Sequence, residues 1–188
     1  MGGVSNGPTV IITAMTEPQL TIATTWDGAA LPEAEHTFVR LAATPAGLSI
    51  AVDAPFGDDP APITPVGRTD RLWEHEVVEV FFAESAARSS RYLEIELGPH
   101  GHWLALGFSS YRRVHIADLA LTYSCTIDRA TLRWQGQATI DWLEVARVLP
   151  EIGASNAYAI RGGTFMAAWP VPAGAFPSPD FHRIDYFR

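Results

Sequence analysis

The chain has 188 residues, of which 47% are hydrophobic and 18% charged, as in folded globular domains rather than disordered chains. Its formal net charge of −8 at pH 7 disfavours nucleic acid and anionic membrane surfaces as partners. All 13 basic residues are arginine. The absence of lysine excludes a Schiff-base lysine and a phosphate-loop lysine.

The cysteine content and the apolar runs bear on the compartment. The single cysteine, Cys125, cannot form a disulfide within the chain and fits a reducing environment. The apolar runs are too short to span a membrane. The first 15 residues hold a brief apolar patch at 10–12 with no positive charge before it, which is unlike a signal peptide. We therefore predict a first strand there and a cytoplasmic protein.

Short runs of alternating apolar and polar residues recur along the chain, rich in β-branched and aromatic side chains and bounded by Gly, Pro, Asp and Ser. They predict nine strands, at residues 20–25, 37–43, 48–53, 77–83, 92–97, 103–108, 121–127, 131–140 and 158–162. Such strands, joined mostly by short turns, are typical of an antiparallel β-sandwich. We predict an all-β fold of the jelly-roll or immunoglobulin-like kind, with about nine or more strands, as a single domain over residues 1–188.

One helix and two long loops complete the predicted fold. Asp141 is a good N-cap and Pro150 a stop signal, so a short helix is predicted between them. Proline-rich stretches at 54–65 and 170–179 predict long loops. Long loops at the rim of a sandwich often carry function.

Three glutamates are predicted to share one face of neighbouring strands. In residues 92–97 the alternation turns Leu93, Ile95 and Leu97 toward the core and Tyr92, Glu94 and Glu96 away from it. A hairpin with residues 77–83, turning near Ala87, places Glu79 across from Glu94 and Glu96. This face is either an ordinary solvated surface balanced by nearby arginines, or a polar binding face beside an aromatic wall supplied by Trp73.

Residues 72–82, Leu-Trp-Glu-His-Glu-Val-Val-Glu-Val-Phe-Phe, resemble the signature strand of family nine carbohydrate-binding modules and of the wider DOMON-like β-sandwich group. In that strand a Trp is followed six residues later by a Glu, and Trp73 and Glu79 keep this spacing. A second resemblance covers nearly the whole chain, to an uncharacterised family of small intracellular proteins of animals and bacteria. It is carried by residues 25–28, 54–56, 59–62, 72–82, 92–97, 99–101, 179–182 and 186–187. It implies the fold and no activity.

The resemblance to the carbohydrate-binding modules implies non-catalytic binding of a carbohydrate or a similar small polyhydroxylated ligand between two aromatic walls. Trp73 matches the first wall and Phe176 falls near the second, while Glu79 would accept hydrogen bonds from sugar hydroxyls. The chain departs from that family on the next strand, where acids replace amide and Arg side chains. The predicted ligand-binding residues are Trp73, Glu79, Tyr92, Glu94, Glu96, Arg161 and Phe176, with a polar rim of His75, His100 and His182.

Two other classes of function compete with binding. A small-molecule hydrolase or isomerase could use Glu94 or Glu79 as a general base with His100 or His182. A deep pocket holding a carboxyl group of raised pKa would favour that reading. An intracellular interaction module could instead bind a protein through the proline-rich loops.

The sequence carries few signals for a cofactor. It has no Gly-x-Ser-x-Gly elbow, no phosphate loop and no His-Glu-x-x-His motif. Axial ligands for haem, which other DOMON-like members bind, are not matched. We expect no cofactor, except that the clustered carboxylates could hold Ca²⁺ through their oxygens.

Overall fold

A computed structural model describes residues 11–12, 19–87 and 90–188. The strands are β1 (Ile11–Ile12), β2 (Gln19–Ile22), β3 (Thr24–Thr25), β4 (Thr37–Thr44), β5 (Gly47–Pro55), β6 (Val77–Ala83), β7 (Tyr92–Leu97), β8 (Trp103–Ser110), β9 (Arg113–Ile116), β10 (Thr122–Asp128), β11 (Arg133–Ile140), β12 (Glu151–Ile152), β13 (Ala154–Arg161) and β14 (Thr164–Ala167). One α-helix, α1, spans Trp142–Val148, and 3₁₀ turns lie at Glu33–Glu35, Leu72–Glu74 and Ile184–Tyr186.

The strands form two large antiparallel sheets. One has five strands in the order β10-β11-β5-β4-β2, and the other has seven in the order β3-β14-β13-β6-β7-β8-β9. The short β1 and β12 pair in parallel beside them. Two antiparallel sheets packed on a shared core make a β-sandwich, so the predicted fold class is confirmed.

The main core lies between the two sheets and follows from strand alternation. Val78, Val80 and Phe82 of β6 join it, as do Leu93, Ile95 and Leu97 of β7, and Ile50 and Trp134 face them from the five-stranded sheet. Burying one such side chain contributes about 1.5–3 kcal/mol to folding. The predicted inward face of β7 is confirmed.

The strongly patterned strands were predicted best. β6 and β7 have the predicted bounds and pair as the expected hairpin. The run at 20–25 is two strands, β2 and β3, because the chain passes there from one sheet to the other. The short strands β9, β12 and β14 were missed, since two to four residues give no clear alternation. Of the predicted first strand, Ile11–Ile12 is described, and the rest lies outside the described residues.

The helix is confirmed together with its cap. The Asp141 carboxylate accepts a hydrogen bond from the Leu143 backbone N–H at 2.7 Å, as an N-cap does. The helix ends ahead of Pro150, and its buried residues Val145 and Val148 join the main core.

The outer face of the seven-stranded sheet carries a second apolar layer. Phe181, Ile184 and Phe187 of the C-terminal segment (residues 179–188) pack there with Phe81 and Tyr158. The backbone of Arg188 exchanges hydrogen bonds of 2.7 and 3.0 Å with Ser155 of β13, which fastens the segment to the sheet. The interpretation of this face as a solvated surface is therefore wrong. Aromatic side chains alternate with the glutamates on it, and they bury themselves under the segment.

Candidate functional site

A cavity of about 390 Å³ lies between the outer face of the seven-stranded sheet and the C-terminal segment. Small-molecule sites commonly have volumes of ~300–1,000 Å³. Its apolar walls come from Trp73, Leu106, Phe108, Val114, Phe165 and Phe181. Its polar groups come from Glu79, Glu94, Arg112, Asp180 and His182. Apolar walls with a few fixed polar groups are the usual make-up of a ligand site.

The floor of the cavity is built around three glutamates at the centre of the sheet. Glu79 of β6 stands directly opposite Glu96 of β7, and Glu94 is two residues along β7 on the same face. The predicted sharing of one face is confirmed. Their exposed fractions are 3% for Glu79, 4% for Glu94 and 0% for Glu96, so these acids are buried.

Burial determines the protonation of this trio. It raises the pKa of Glu94 to about 8, although the Arg112 guanidinium and a hydrogen bond from Glu79 oppose the rise. Burial also raises the pKa of Glu79 well above its usual range, and the charge of Glu94 and the hydrogen bond to it add to that rise. Glu79 therefore keeps its proton and donates it to Glu94, which is the carboxyl group that ionises more easily.

Glu96 is the member of the trio with the poorest hydrogen bonding. Burial raises the pKa of its carboxyl group well above the usual range, and the charges of Glu79 and Glu94 raise it further. The Trp73 backbone amide offsets part of this rise, yet neither carboxyl oxygen of Glu96 has a hydrogen bond of normal geometry among the described residues. A buried polar group without a partner costs about 1–3 kcal/mol of stability.

Arg112 enters the cavity from the tight turn between β8 and β9. Its φ of 53° lies in the left-handed region, which is unfavourable for a residue with a side chain. The guanidinium pairs with Asp180 of the C-terminal segment at 2.8 Å. The same carboxylate accepts a hydrogen bond from the Tyr111 hydroxyl at 2.6 Å and lies 3.0 Å from Nε of Arg183. This network ties the segment to the sheet beside the cavity.

A tyrosine forms a hydrogen bond with the cavity histidine. The Tyr92 hydroxyl accepts a hydrogen bond from the Arg112 backbone N–H at 2.9 Å and lies 2.8 Å from Nδ1 of His182. Burial lowers the pKa of His182 to about 4, and the charge of Arg112 lowers it further. The ring is therefore neutral at pH 7, with one nitrogen that donates a hydrogen bond and one that accepts.

Four of the predicted site residues line the cavity, namely Trp73, Glu79, Glu94 and His182. Trp73 is 43% exposed, so its indole is not buried in the core. Tyr92 reaches the cavity through its hydrogen bond to His182, and Glu96 lies beside the floor, opposite Glu79.

The other four predicted residues lie elsewhere. Phe176 is outside the cavity, under the Arg183 guanidinium at 3.9 Å and near Trp26 and Tyr186. It does not stand across from Trp73, because the cavity wall on that side is formed by Phe165 and Phe181.

Arg161, His100 and His75 are likewise outside the cavity. Arg161 pairs with Glu35 and donates to the Pro55 carbonyl, which holds it at one end of the sheet. His100 lies 3.3 Å from the Asp59 carbonyl and against Phe56. His75 follows the 3₁₀ turn that presents Trp73, with its backbone N–H bonded to Leu72.

Sequence reasoning named Arg112 only as one of the arginines that could balance a solvated face, and it missed Asp180 and the aromatic walls Phe108, Phe165 and Phe181. The Asp-Phe-His run at 180–182 was noticed as part of a family resemblance, without a role in the site. Nothing in the local sequence signals that the turn at Arg112 lies beside β7. That contact arises from the order of strands in the sheet.

Two further findings bear on the predictions. Within residues 11–12, 19–87 and 90–188, no three His, Cys, Asp or Glu side chains are placed to hold a metal ion together. No helix in the described part of the chain has the length and apolar character needed to cross a membrane. The cytoplasmic location stays a prediction.

Among solved structures, one with the same fold comes from Bacteroides uniformis and is described as a "putative carbohydrate-binding protein". It superposes with a TM-score of 0.67 and 14% identity, over 91% of this chain and 84% of that one. At this identity the likeness shows the fold alone. The finer resemblance to family nine modules and DOMON-like domains stays a prediction.

Sequence comparison gives closer relatives, although no protein-family model matches the chain. The UPF0462 protein C4orf33 homolog of Mus musculus is 35% identical over 173 residues, which cover 87% of this chain and 86% of that protein. UPF0462 protein C4orf33 of Homo sapiens is also 35% identical, over 87% and 83% of the two chains. The Danio rerio homolog is 36% identical, over 87% and 84%. With this identity over most of both chains, the protein belongs to the UPF0462 family.

Proposed function

We propose that the cavity binds a carbohydrate or a similar small polyhydroxylated molecule without changing it chemically. The observation that carries this proposal is the meeting of aromatic walls with fixed polar groups in one cavity. A sugar ring has an apolar face that can lie against an aromatic side chain and hydroxyl groups that donate and accept hydrogen bonds.

The polar groups are arranged for such a ligand before it arrives. The carboxyl group of Glu94 forms hydrogen bonds, and Tyr92 holds the neutral His182 ring through Nδ1, which leaves Nε2 for a ligand. The ion pair between Arg112 and Asp180 holds the opposite side in place. Groups already ordered in the free protein lose little conformational freedom on binding, which favours affinity.

The fold supports the same proposal by analogy. The structure from Bacteroides uniformis shares the sandwich, and its description names carbohydrate binding. A shared fold does not establish a shared function, so the proposal depends mainly on the residues of the cavity.

Titration with a panel of mono- and oligosaccharides, followed by tryptophan fluorescence, tests the proposal. We expect saturable binding that Trp73→Ala weakens at least about tenfold, which corresponds to ~1.4 kcal/mol. Trp142→Phe is the matched control, because Trp142 lies in α1 with its indole N–H bonded to the Thr44 carbonyl. The proposal fails if no member of the panel binds, or if Trp73→Ala leaves the affinity unchanged.

A second candidate is acid–base catalysis on a small polar substrate. The observation in its favour is that burial raises the pKa of Glu94 to about 8, near the pH at which a general acid or base works best. A hydrolysis or isomerisation by Glu94 with His182 would use the same cavity. Incubating bound sugars with the protein and following them by NMR separates the two functions. Turnover that Glu94→Gln abolishes while binding persists would establish the enzyme.

A further inference from the structure

We infer that the ligand presents a protonated amine to the floor of the cavity, so that the bound molecule is an amino sugar or a similar hydroxylated amine. This inference rests on the proposed function and narrows it. Three features support it. The floor of the cavity carries carboxyl groups, and the nearest cation of the protein is already paired with another residue. A buried carboxyl group beside the floor also lacks hydrogen bonds of normal geometry.

The first feature is a cluster of buried carboxyl groups with no cation against it. Glu79, Glu94 and Glu96 lie together on one face of two paired strands, and two of them line the cavity. Among the described ion pairs, none includes any of the three. Burial raises the pKa of each carboxyl group, which favours its neutral form, and a cation placed against the cluster would favour ionisation. The space next to Glu79 and Glu94 is where a positive partner would fit.

The nearest cation of the protein is already engaged. The Arg112 guanidinium forms its ion pair with Asp180 at 2.8 Å. It influences the acids at longer range, since it lowers the pKa of Glu94, but it forms no hydrogen bond with them in the described structure. The protein itself therefore leaves this floor without a bound cation.

The third feature is the missing hydrogen bonding of Glu96. This residue is fully buried directly opposite Glu79, and in the part of the chain that the structure describes neither of its carboxyl oxygens has a hydrogen bond of normal geometry. A positive charge resting against Glu79 and Glu94 would also lie near Glu96. It would favour ionisation of the cluster.

The remaining titratable and charged groups around the floor do not supply this charge. His182 is neutral at pH 7 because burial lowers its pKa to about 4. Tyr92 and Tyr158 are phenols whose pKa values burial raises. The groups around the floor are Glu79 on β6, Tyr92, Glu94 and Glu96 on β7, Arg112 on the turn before β9, Tyr158 on β13, and Asp180 and His182 on the C-terminal segment. Arg183 of that segment is not among the residues that line the cavity, and its Nε lies 3.0 Å from the Asp180 carboxylate.

The aromatic wall agrees with a cationic ligand. An ammonium group is attracted to the face of an indole, most strongly where water is partly excluded. Trp73 lines the same cavity as Glu79 and Glu94. A neutral sugar could use the carboxyl groups only as hydrogen-bond partners, whereas an amino sugar would also form the ion pair that the floor lacks.

Isothermal titration calorimetry at pH 6.5 with glucosamine, N-acetylglucosamine and glucose tests the inference. The three probes share a ring, and only glucosamine carries a charged amine. We expect glucosamine to bind at least about tenfold more tightly than either neutral sugar. The amine should also drive a proton from the acidic trio, so the measured heat should differ between phosphate and HEPES buffers, which have different ionisation enthalpies.

Two substitutions identify the source of the preference. Glu94→Gln keeps the size of the side chain and its capacity for hydrogen bonds, but the side chain can no longer become negatively charged. We therefore expect it to abolish the preference for glucosamine while glucose still binds. Glu151→Gln, at an exposed position of β12 outside the cavity, should leave the preference intact. A thermal melt of each variant verifies that it is folded, and the comparison of sugars on the unaltered protein needs no variant.

The outcomes separate this inference from the proposed function. Equal or tighter binding of the neutral sugars overturns the inference and leaves carbohydrate binding standing. Binding of none of the three probes, nor of any other sugar in the panel, overturns both. A preference for glucosamine that survives Glu94→Gln and Glu79→Gln also overturns it, because the charge would then be recognised elsewhere.

Discussion

Substitution of Glu94 by glutamine makes a sharp test of the buried acidic floor. The change removes an ionisable group and keeps its size and its ability to accept a hydrogen bond from Glu79. We expect the variant to be as stable as the unaltered protein in acid and more stable at alkaline pH. The reason is that a buried carboxylate is costly, while a buried amide carries no charge.

The sign and size of the effect follow from the pKa of Glu94. In the unfolded chain the carboxyl group ionises near its ordinary value of 4.5, while burial raises the pKa of the folded state to about 8. Between these values the unfolded state loses a proton that the folded state keeps, so stability falls as pH rises. The loss is complete above pH 8 and amounts to about 5 kcal/mol at ~1.36 kcal/mol per pH unit.

Urea denaturation of both proteins from pH 4 to pH 8.5 measures this effect. The free energy of unfolding of Glu94→Gln should match that of the unaltered protein near pH 4 and exceed it by several kcal/mol at pH 8.5. Glu151→Gln serves as the control, since Glu151 is exposed, and its curve should run parallel to the unaltered one. If the free energies of unfolding of Glu94→Gln and of the unaltered protein ran parallel at every pH, Glu94 would not be buried as described. The interpretation of the cavity floor would then be wrong.

Four further predictions concern the groups around the cavity. Tyr92→Phe leaves the Arg112 N–H and Nδ1 of His182 without partners and should cost about 1–3 kcal/mol in urea denaturation; an unchanged midpoint would contradict it. His182, whose pKa burial lowers to about 4, should show a neutral ring in ¹⁵N NMR from pH 5.5 to 8, and a titration near pH 6.5 would refute that. Phe176→Ala should leave sugar affinity within about twofold, because Phe176 lies outside the cavity; a larger loss would restore it as a wall. Ca²⁺ or a chelator should leave the melting temperature unchanged, since the described residues place no three ligands together, and a clear shift would reveal an ion site.

The sequence predicted well those features that depend on alternation along one strand. β6 and β7 each have six or seven residues with a clear period of two, and the face of Glu79, Glu94 and Glu96 follows from it directly. The Asp141 cap is equally local. Such features need only the geometry of a few neighbouring residues.

Features that depend on contacts between distant parts of the chain could not be predicted from local alternation. The glutamates were expected to be solvated or on an open face, yet they are buried because the C-terminal segment packs over that face of the sheet. Arg161 was expected on the site face, yet Tyr158 is the β13 residue that pairs with Glu79, so alternation places Arg161 on the other face of the sheet, where its partner is Glu35. Phe176 was placed by analogy with another family, whereas the wall is formed by Phe165 and Phe181. Each of these outcomes is set by tertiary packing.

The cavity is complete only while the C-terminal segment is docked on the sheet. Asp180, Phe181 and His182 form part of its wall, and the segment is fastened further along by Phe187 and by the bonds between Arg188 and Ser155. Whenever the segment detaches, the wall is lost, so the apparent dissociation constant equals the intrinsic one divided by the fraction of molecules with the segment docked. A bound molecule would in turn slow hydrogen exchange throughout this segment, including at positions that never touch it.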